Sequence, residues 1–124
     1  MPDSSQLETT AMKKIEAVIK EGYVDAVRQA LDNAGFSSMT IYPVRGRGAS
    51  GGLELEWRAG TYKVDFLHKV MLMIVVREAH YRQVVEVIVD VCKDDPTGGA
   101  GKIFVSTVDE VIRIRTGESN SEAL

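Results

Sequence analysis

At 124 residues, 44% hydrophobic and 27% charged, the chain has one domain's length and an ordinary globular composition, without room for a separate catalytic domain. A net charge of −3 and a pI near 5.4 argue against a nucleic-acid coat or an anionic membrane surface as partner. The single cysteine, Cys92, excludes an internal disulfide framework and makes a reducing cytoplasm the expected compartment; the two histidines stand at no metal-ligand spacing.

Residues 1–11 are polar and read as a flexible tail, without the apolar run of a secretory signal. No stretch is long and uncharged enough to span a bilayer, so direct membrane insertion is not expected. Lys13 to Ile19 alternates polar and apolar residues, as a half-buried strand does. Val24, Val27, Leu31 and Ala34 then recur at helical spacing, and Gly35 supplies the stop. Met39 to Val44 reads as a second strand, with Pro43 marking an edge or an irregularity. Residues 46–61 scatter five glycines among charges and read as one long loop, although Leu53 to Trp57 alternates apolar and acidic residues. Loops of that length inside compact domains are usually functional.

The second half repeats the plan. Lys69 to Val76 is a strongly apolar strand, with Val70, Leu72, Ile74 and Val76 on one side. A helix from Ala79 to Cys92 gathers Tyr81, Val84, Val85, Ile88, Val91 and Cys92 on one face. A glycine loop over 93–101 leads into a strand from Lys102 to Val105, then a strand from Val111 to Arg115 and a polar tail over 119–124. The order β-α-β, long loop, β-α-β is the ferredoxin-like plan of an α+β domain. Helices on one face of such a sheet leave the other face in need of a partner.

Chemistry-bearing residues are few. Gly46 to Gly51 matches G-x-G-x-x-G, yet no helix follows, so the match is loop composition. Pro96 to Lys102 evokes a phosphate-binding loop but lacks its first glycine and its magnesium-holding hydroxyl. Arg113 and Arg115, two apart on a strand, would leave the same face, and Lys102 follows a loop whose backbone N–H groups suit an anion. A solvated charged face explains these cations equally well. For catalysis, Ser50, Ser106 and Cys92 have no His/Asp arrangement beside them, and Cys92 on an apolar helix face reads as a buried structural thiol.

Several segments resemble PII signal-transduction proteins. They are Met12 to Ile19, Gly35 to Val44, Val64 to Leu67 with Lys69, Gly101 to Val105 and, most specifically, Val111 to Glu118. The resemblance covers residues 12–118. It implies a ferredoxin-like βαββαβ subunit with a long T-loop (residues 47–63), assembled as a cytoplasmic homotrimer that catalyses nothing and needs no catalytic cofactor. It implies ATP, ADP or AMP held in clefts between subunits, with magnesium accompanying ATP, and a T-loop that docks onto a membrane transporter or a metabolic enzyme. By matching positions, Lys102, Arg113 and Arg115 would hold phosphates; Gly46, Arg47, Gly48, Gly99 and Gly101 would line the cleft, and Thr40 would lie by the base. Arg58 would enter a target and Tyr62 would be the site of modification, while Ser50 and Lys69 would face a small-molecule effector. Nucleic acid is not among the implied partners.

The departures from the family pattern are specific. Ser50 stands where the family has a glutamine that ligates magnesium when 2-oxoglutarate binds. The usual T-G-K-x-G-D-G-K loop reads Asp95-Pro96-Thr97-Gly98-Gly99-Ala100-Gly101-Lys102, without its first lysine and its aspartate. ADP or AMP is therefore expected to bind at least as tightly as ATP, with little gain from 2-oxoglutarate, unless Arg45 or Arg47 replaces the lost charge. Two other functions fit the same residues less closely: a PII-like sensor of adenylate charge or bicarbonate acting on a non-nitrogen transporter, and a small ferredoxin-like enzyme.

Overall fold

The computed structural model describes residues 11–47, 53–57, 60–64 and 67–124. Among these residues, six strands and two α-helices follow one another as β1 (Met12–Ile19), α1 (Val24–Asn33), β2 (Thr40–Gly46), β3 (Leu53–Trp57), β4 (Gly60–Val64), β5 (Leu67–Arg77), α2 (Glu78–Cys92) and β6 (Lys102–Val108). Short 3-10 turns occupy Glu21–Tyr23 and Asn120–Ala123.

The main sheet has the order β2-β5-β1-β6, with every neighbouring pair antiparallel. β1 and β2 therefore run parallel with β5 between them, and β5 and β6 run parallel with β1 between them. Two split βαβ units interlock, which is the ferredoxin-like topology expected from the order of elements. The register Ile15↔Ile74 and Ala17↔Leu72 puts Ile15, Ala17, Ile19, Val70, Leu72, Ile74 and Val76 on one face. There they bury against Val27 and Leu31 of α1 and Val84, Ile88 and Cys92 of α2. Gly35 ends α1 at φ +93°, and the Phe36 N–H donates to Leu31 O at 2.8 Å while Gly35 N–H donates to Asp32 O at 3.0 Å. This left-handed cap satisfies carbonyls at the helix end and folds Phe36 back onto the core.

No helix or strand among the described residues covers the opposite face. Alternation places Tyr42 of β2, Met71, Met73 and Val75 of β5, Val18 of β1 and Phe104 of β6 on it, and Phe104 is 53% exposed. No helix among the described residues is long and apolar enough to cross a membrane.

Two expectations are corrected. The segment read as one long loop contains a hairpin: β3 and β4 pair antiparallel from Leu53↔Val64 to Trp57↔Gly60. This pair forms a two-stranded sheet separate from the main one. Val111 to Arg115 is not a strand. Ile112 makes a single bridge to Ser119, and the chain reverses between them. The Gly117 N–H donates to Arg113 O and the Arg113 N–H to Glu118 O, each at 2.8 Å, so the backbone groups of Arg113 are used locally. Gly117, at φ +73°, makes that reversal.

Candidate functional site

Four strand ends meet at one edge of the sheet. β2 ends at Gly46 opposite Leu67, Val44 faces Lys69, and the β1–β5 register of Ile19↔Val70 puts Lys20 next to Lys69. On the other side of β1, Val18 pairs with Lys102. The loop 93–101 between α2 and β6 closes over this edge.

The loop's own sequence sets its shape. Asp95-Pro96-Thr97-Gly98 forms a β-turn with Asp at its first position and Pro at its second, and the Gly98 N–H donates to Asp95 O at 3.2 Å. Asp95 Oδ1 accepts the Thr97 N–H at 2.8 Å and the Thr97 hydroxyl at 2.6 Å. Its Oδ2 lies 2.8 Å from Lys20 Nζ, and Lys20 also reaches the Thr97 hydroxyl oxygen. The Lys20 ammonium and the Thr97 donors hold the Asp95 carboxyl well below the usual carboxylate range. Burial, with the neighbouring Asp95 carboxylate, pushes the Tyr23 hydroxyl up. Gly101, at φ +113°, admits no side chain: a Cβ there would lie 1.8 Å from Val18 O.

Lys69 Nζ donates to Gly99 O at 2.9 Å, and its Cγ would be 3.9 Å from a Cβ on Gly46. A Cβ on Gly99 would lie 3.7 Å from Lys20 Nζ and 3.8 Å from Lys69 Nζ. Two ammonium groups thus converge on one glycine whose neighbourhood only a small residue leaves open. Such an arrangement suits an anion: charge-assisted donors are fixed by the sheet, and the backbone can approach closely. An apolar recess of about 320 Å³, bounded by Val18, Ile19, Val85, Ile88 and the stretch Ala100–Ile103, adjoins the loop.

Of the residues singled out from sequence, Gly46, Lys69, Gly99, Gly101 and Lys102 come together here, with Arg47 exposed just beyond Gly46. Thr40 does not. It pairs with Met73, four residues up β5 from Lys69, or roughly 13 Å away at about 3.3 Å per residue. Arg113 and Arg115 lie beyond the far end of β6. Arg113 Nη2 donates to Leu124 O at 3.2 Å, and Leu124 lines a pocket of about 300 Å³ with Phe36, Ser38, Arg77 and His80, at the Thr40 end of the sheet. Gly48, Ser50 and Arg58 lie outside the described residues, and Tyr62 sits in β4 opposite Leu55. Lys20, Asp95 and Thr97 were missed. The signal for Lys20 is its position one residue past Ile19, which the β1–β5 register sets beside Lys69.

Cys92 is buried in the core as expected, and burial raises its thiol pKa. His68 and His80 are exposed, the His80 ring lying against Phe36 at 5.9 Å between centroids.

Fold and site together define a ferredoxin-like α+β domain with a cationic glycine loop at one end of its sheet. The family model for nitrogen regulatory protein P-II matches residues 12–118. Curated relatives carry the same description. The P-II protein of Synechocystis sp. is 44% identical over 113 residues, covering 91% of this chain and all of that one. That of Haemophilus influenzae is 46% identical over 91% of this chain and all of its own. P-II 2 of Methanothermobacter thermautotrophicus is 45% identical over 91% of this chain and 97% of its own. A crystal structure of Arabidopsis thaliana PII bound to citrate superposes with a TM-score of 0.75 at 30% identity, covering 93% of this chain and 94% of that one. The chain belongs to the P-II family of nitrogen regulatory proteins.

Proposed function

We propose that this P-II protein is a non-enzymatic cytoplasmic regulator that binds adenine nucleotides in clefts between the subunits of a homotrimer. The β3–β4 hairpin and its flanks, residues 47–63, would carry the signal to a transporter or enzyme of nitrogen metabolism.

One observation carries this reading: the cations that suit a nucleotide's phosphates lie at opposite ends of one subunit. Lys102 opens β6, and the six steps to Val108 alone span about 20 Å, with Arg113 and Arg115 beyond it. No single nucleotide bridges that distance within one chain. Two copies can bring the Lys20–Lys69–Lys102 end of one subunit to the Thr40–Arg113–Arg115 end of the next. The uncovered apolar face, with Tyr42, Met71, Met73 and Phe104, supplies the area that such an assembly would bury. The Arabidopsis relative bound to citrate, a small polyanion, is in keeping with an anionic ligand.

Loop chemistry bears on which nucleotide. Asp95 is committed to Lys20 and Thr97, so it offers no free carboxylate for magnesium, which would arrive on the phosphates of ATP. Calorimetry with ATP, ADP and AMP, with and without magnesium and 2-oxoglutarate, tests the reading. ADP or AMP should bind at least as tightly as ATP, with little gain from 2-oxoglutarate. Tight 2-oxoglutarate binding with magnesium and ATP would instead mark a full metabolite sensor.

A further inference from the structure

We propose that Asp95 is a built-in counter-ion that sets ligand choice at the 93–101 loop, occupying Lys20 so that the site favours ligands of low negative charge. The inference rests on the anion-binding reading of this loop. Lys69 spends its ammonium on a neutral acceptor, Gly99 O, and keeps its full charge for a ligand. Lys20 does not: its Nζ is 2.8 Å from Asp95 Oδ2. Thr97 ties Oδ1 through both its N–H and its hydroxyl, so the carboxylate is anchored on two sides and cannot readily swing away. The Asp95 side chain is only 3% exposed, against 29% for Lys20, so separating the pair would leave a nearly buried carboxylate facing the incoming anion.

Both ammonium groups lie within 4 Å of one point, the position of a Cβ on Gly99. An anion seated there meets two cations and one fixed anion. Its attraction is that of one net positive charge rather than two, and the repulsion from Asp95 grows with each phosphate added. A monophosphate, with about half the charge of a triphosphate, is penalised about half as much. Asp95 thus acts as a specificity-determining residue.

Asp95→Asn keeps the side chain's shape and an acceptor for Thr97 while removing the charge; Asp95→Ser is a second variant with a small acceptor. Asp94→Asn, at the exposed neighbour, controls for bulk charge. Binding of inorganic tripolyphosphate, ATP and AMP is measured by calorimetry on the full chain. Both Asp95 variants should tighten tripolyphosphate and ATP by about ten-fold, the scale of one charge-assisted hydrogen bond. AMP, with about half the charge, should tighten by only about three-fold, and Asp94→Asn should do little. Equal changes for AMP and ATP, an equal gain from Asp94→Asn, or weakened or absent tripolyphosphate binding in the Asp95 variants would overturn the proposal. If no adenine nucleotide binds any form while tripolyphosphate still tightens, the counter-ion role stands and the nucleotide reading falls.

Discussion

Replacing Gly101 with alanine tests the tight approach on which the loop depends. The added Cβ would stand 1.8 Å from Val18 O and 3.0 Å from Val18 C, both backbone atoms of β1 that no rotamer change can move. The φ of +113° is itself one that only glycine adopts without strain, costing a side chain on the order of 1–3 kcal/mol. Relief of the clash requires opening the Val18↔Lys102 pairing, which forfeits further ladder hydrogen bonds at about 1 kcal/mol each. The total is about 3–5 kcal/mol, among the larger single-residue effects. At about 4 °C per kcal/mol for a chain of this size, Tm should fall by roughly 12–20 °C. Gly98→Ala is the matched control. It also has positive φ, +74°, but nothing lies within 4 Å of its Cβ position, so its cost should be the backbone strain alone, about 1–2 kcal/mol. Thermal unfolding of both variants at one protein concentration is the assay. Equal shifts, or a Gly101→Ala variant within about 4 °C of the parent, would refute the close-approach argument.

Arg113→Ala and Arg115→Ala should each weaken ADP binding by on the order of 1.5–3 kcal/mol by calorimetry; unchanged affinity in both would leave them as surface charge. The depressed Asp95 pKa gives a stability contribution that is fully present above the ordinary carboxylate value of about 4 and is lost as pH falls through the lower folded value. Lys20, Tyr23, Thr97 and Cys92 are the groups facing it, and burial beside Asp95 raises the Tyr23 hydroxyl and the Cys92 thiol, so neither titrates in that range. Acid denaturation of the parent should therefore be steeper below about pH 4 than that of Asp95→Asn, and superimposable curves would remove the ion pair from the account.

The core was legible because its pattern is regular. Val70, Leu72, Ile74 and Val76 alternate, Val84 and Ile88 keep helical spacing, and each set buries where its period predicts. The strand assigned to Val111–Arg115 failed although its alternation looked similar. Beyond Val108 the chain has left the sheet, and Ile114 is 99% exposed, so hydrophobic alternation found no partner strand among the described residues. The β3–β4 hairpin was obscured by Gly51 and Gly52 before β3 and by Gly60 at the start of β4. Of the candidate site, Gly46, Lys69, Gly99, Gly101 and Lys102 were singled out through their resemblance to a family pattern. Lys20 and Asp95 were not, because a lysine after a strand and an aspartate in a loop look solvated in sequence. Their pairing exists only once the β1–β5 register and the loop turn bring the strand end and the loop together.

Sedimentation of the chain with ADP, followed in the absorbance of adenine, tests assembly and ligand at once. The account predicts that ADP moves with a species of about three times the 13.6 kDa subunit, at one nucleotide per subunit. ADP left behind, or carried by a species of a single subunit's mass, would contradict the intersubunit cleft.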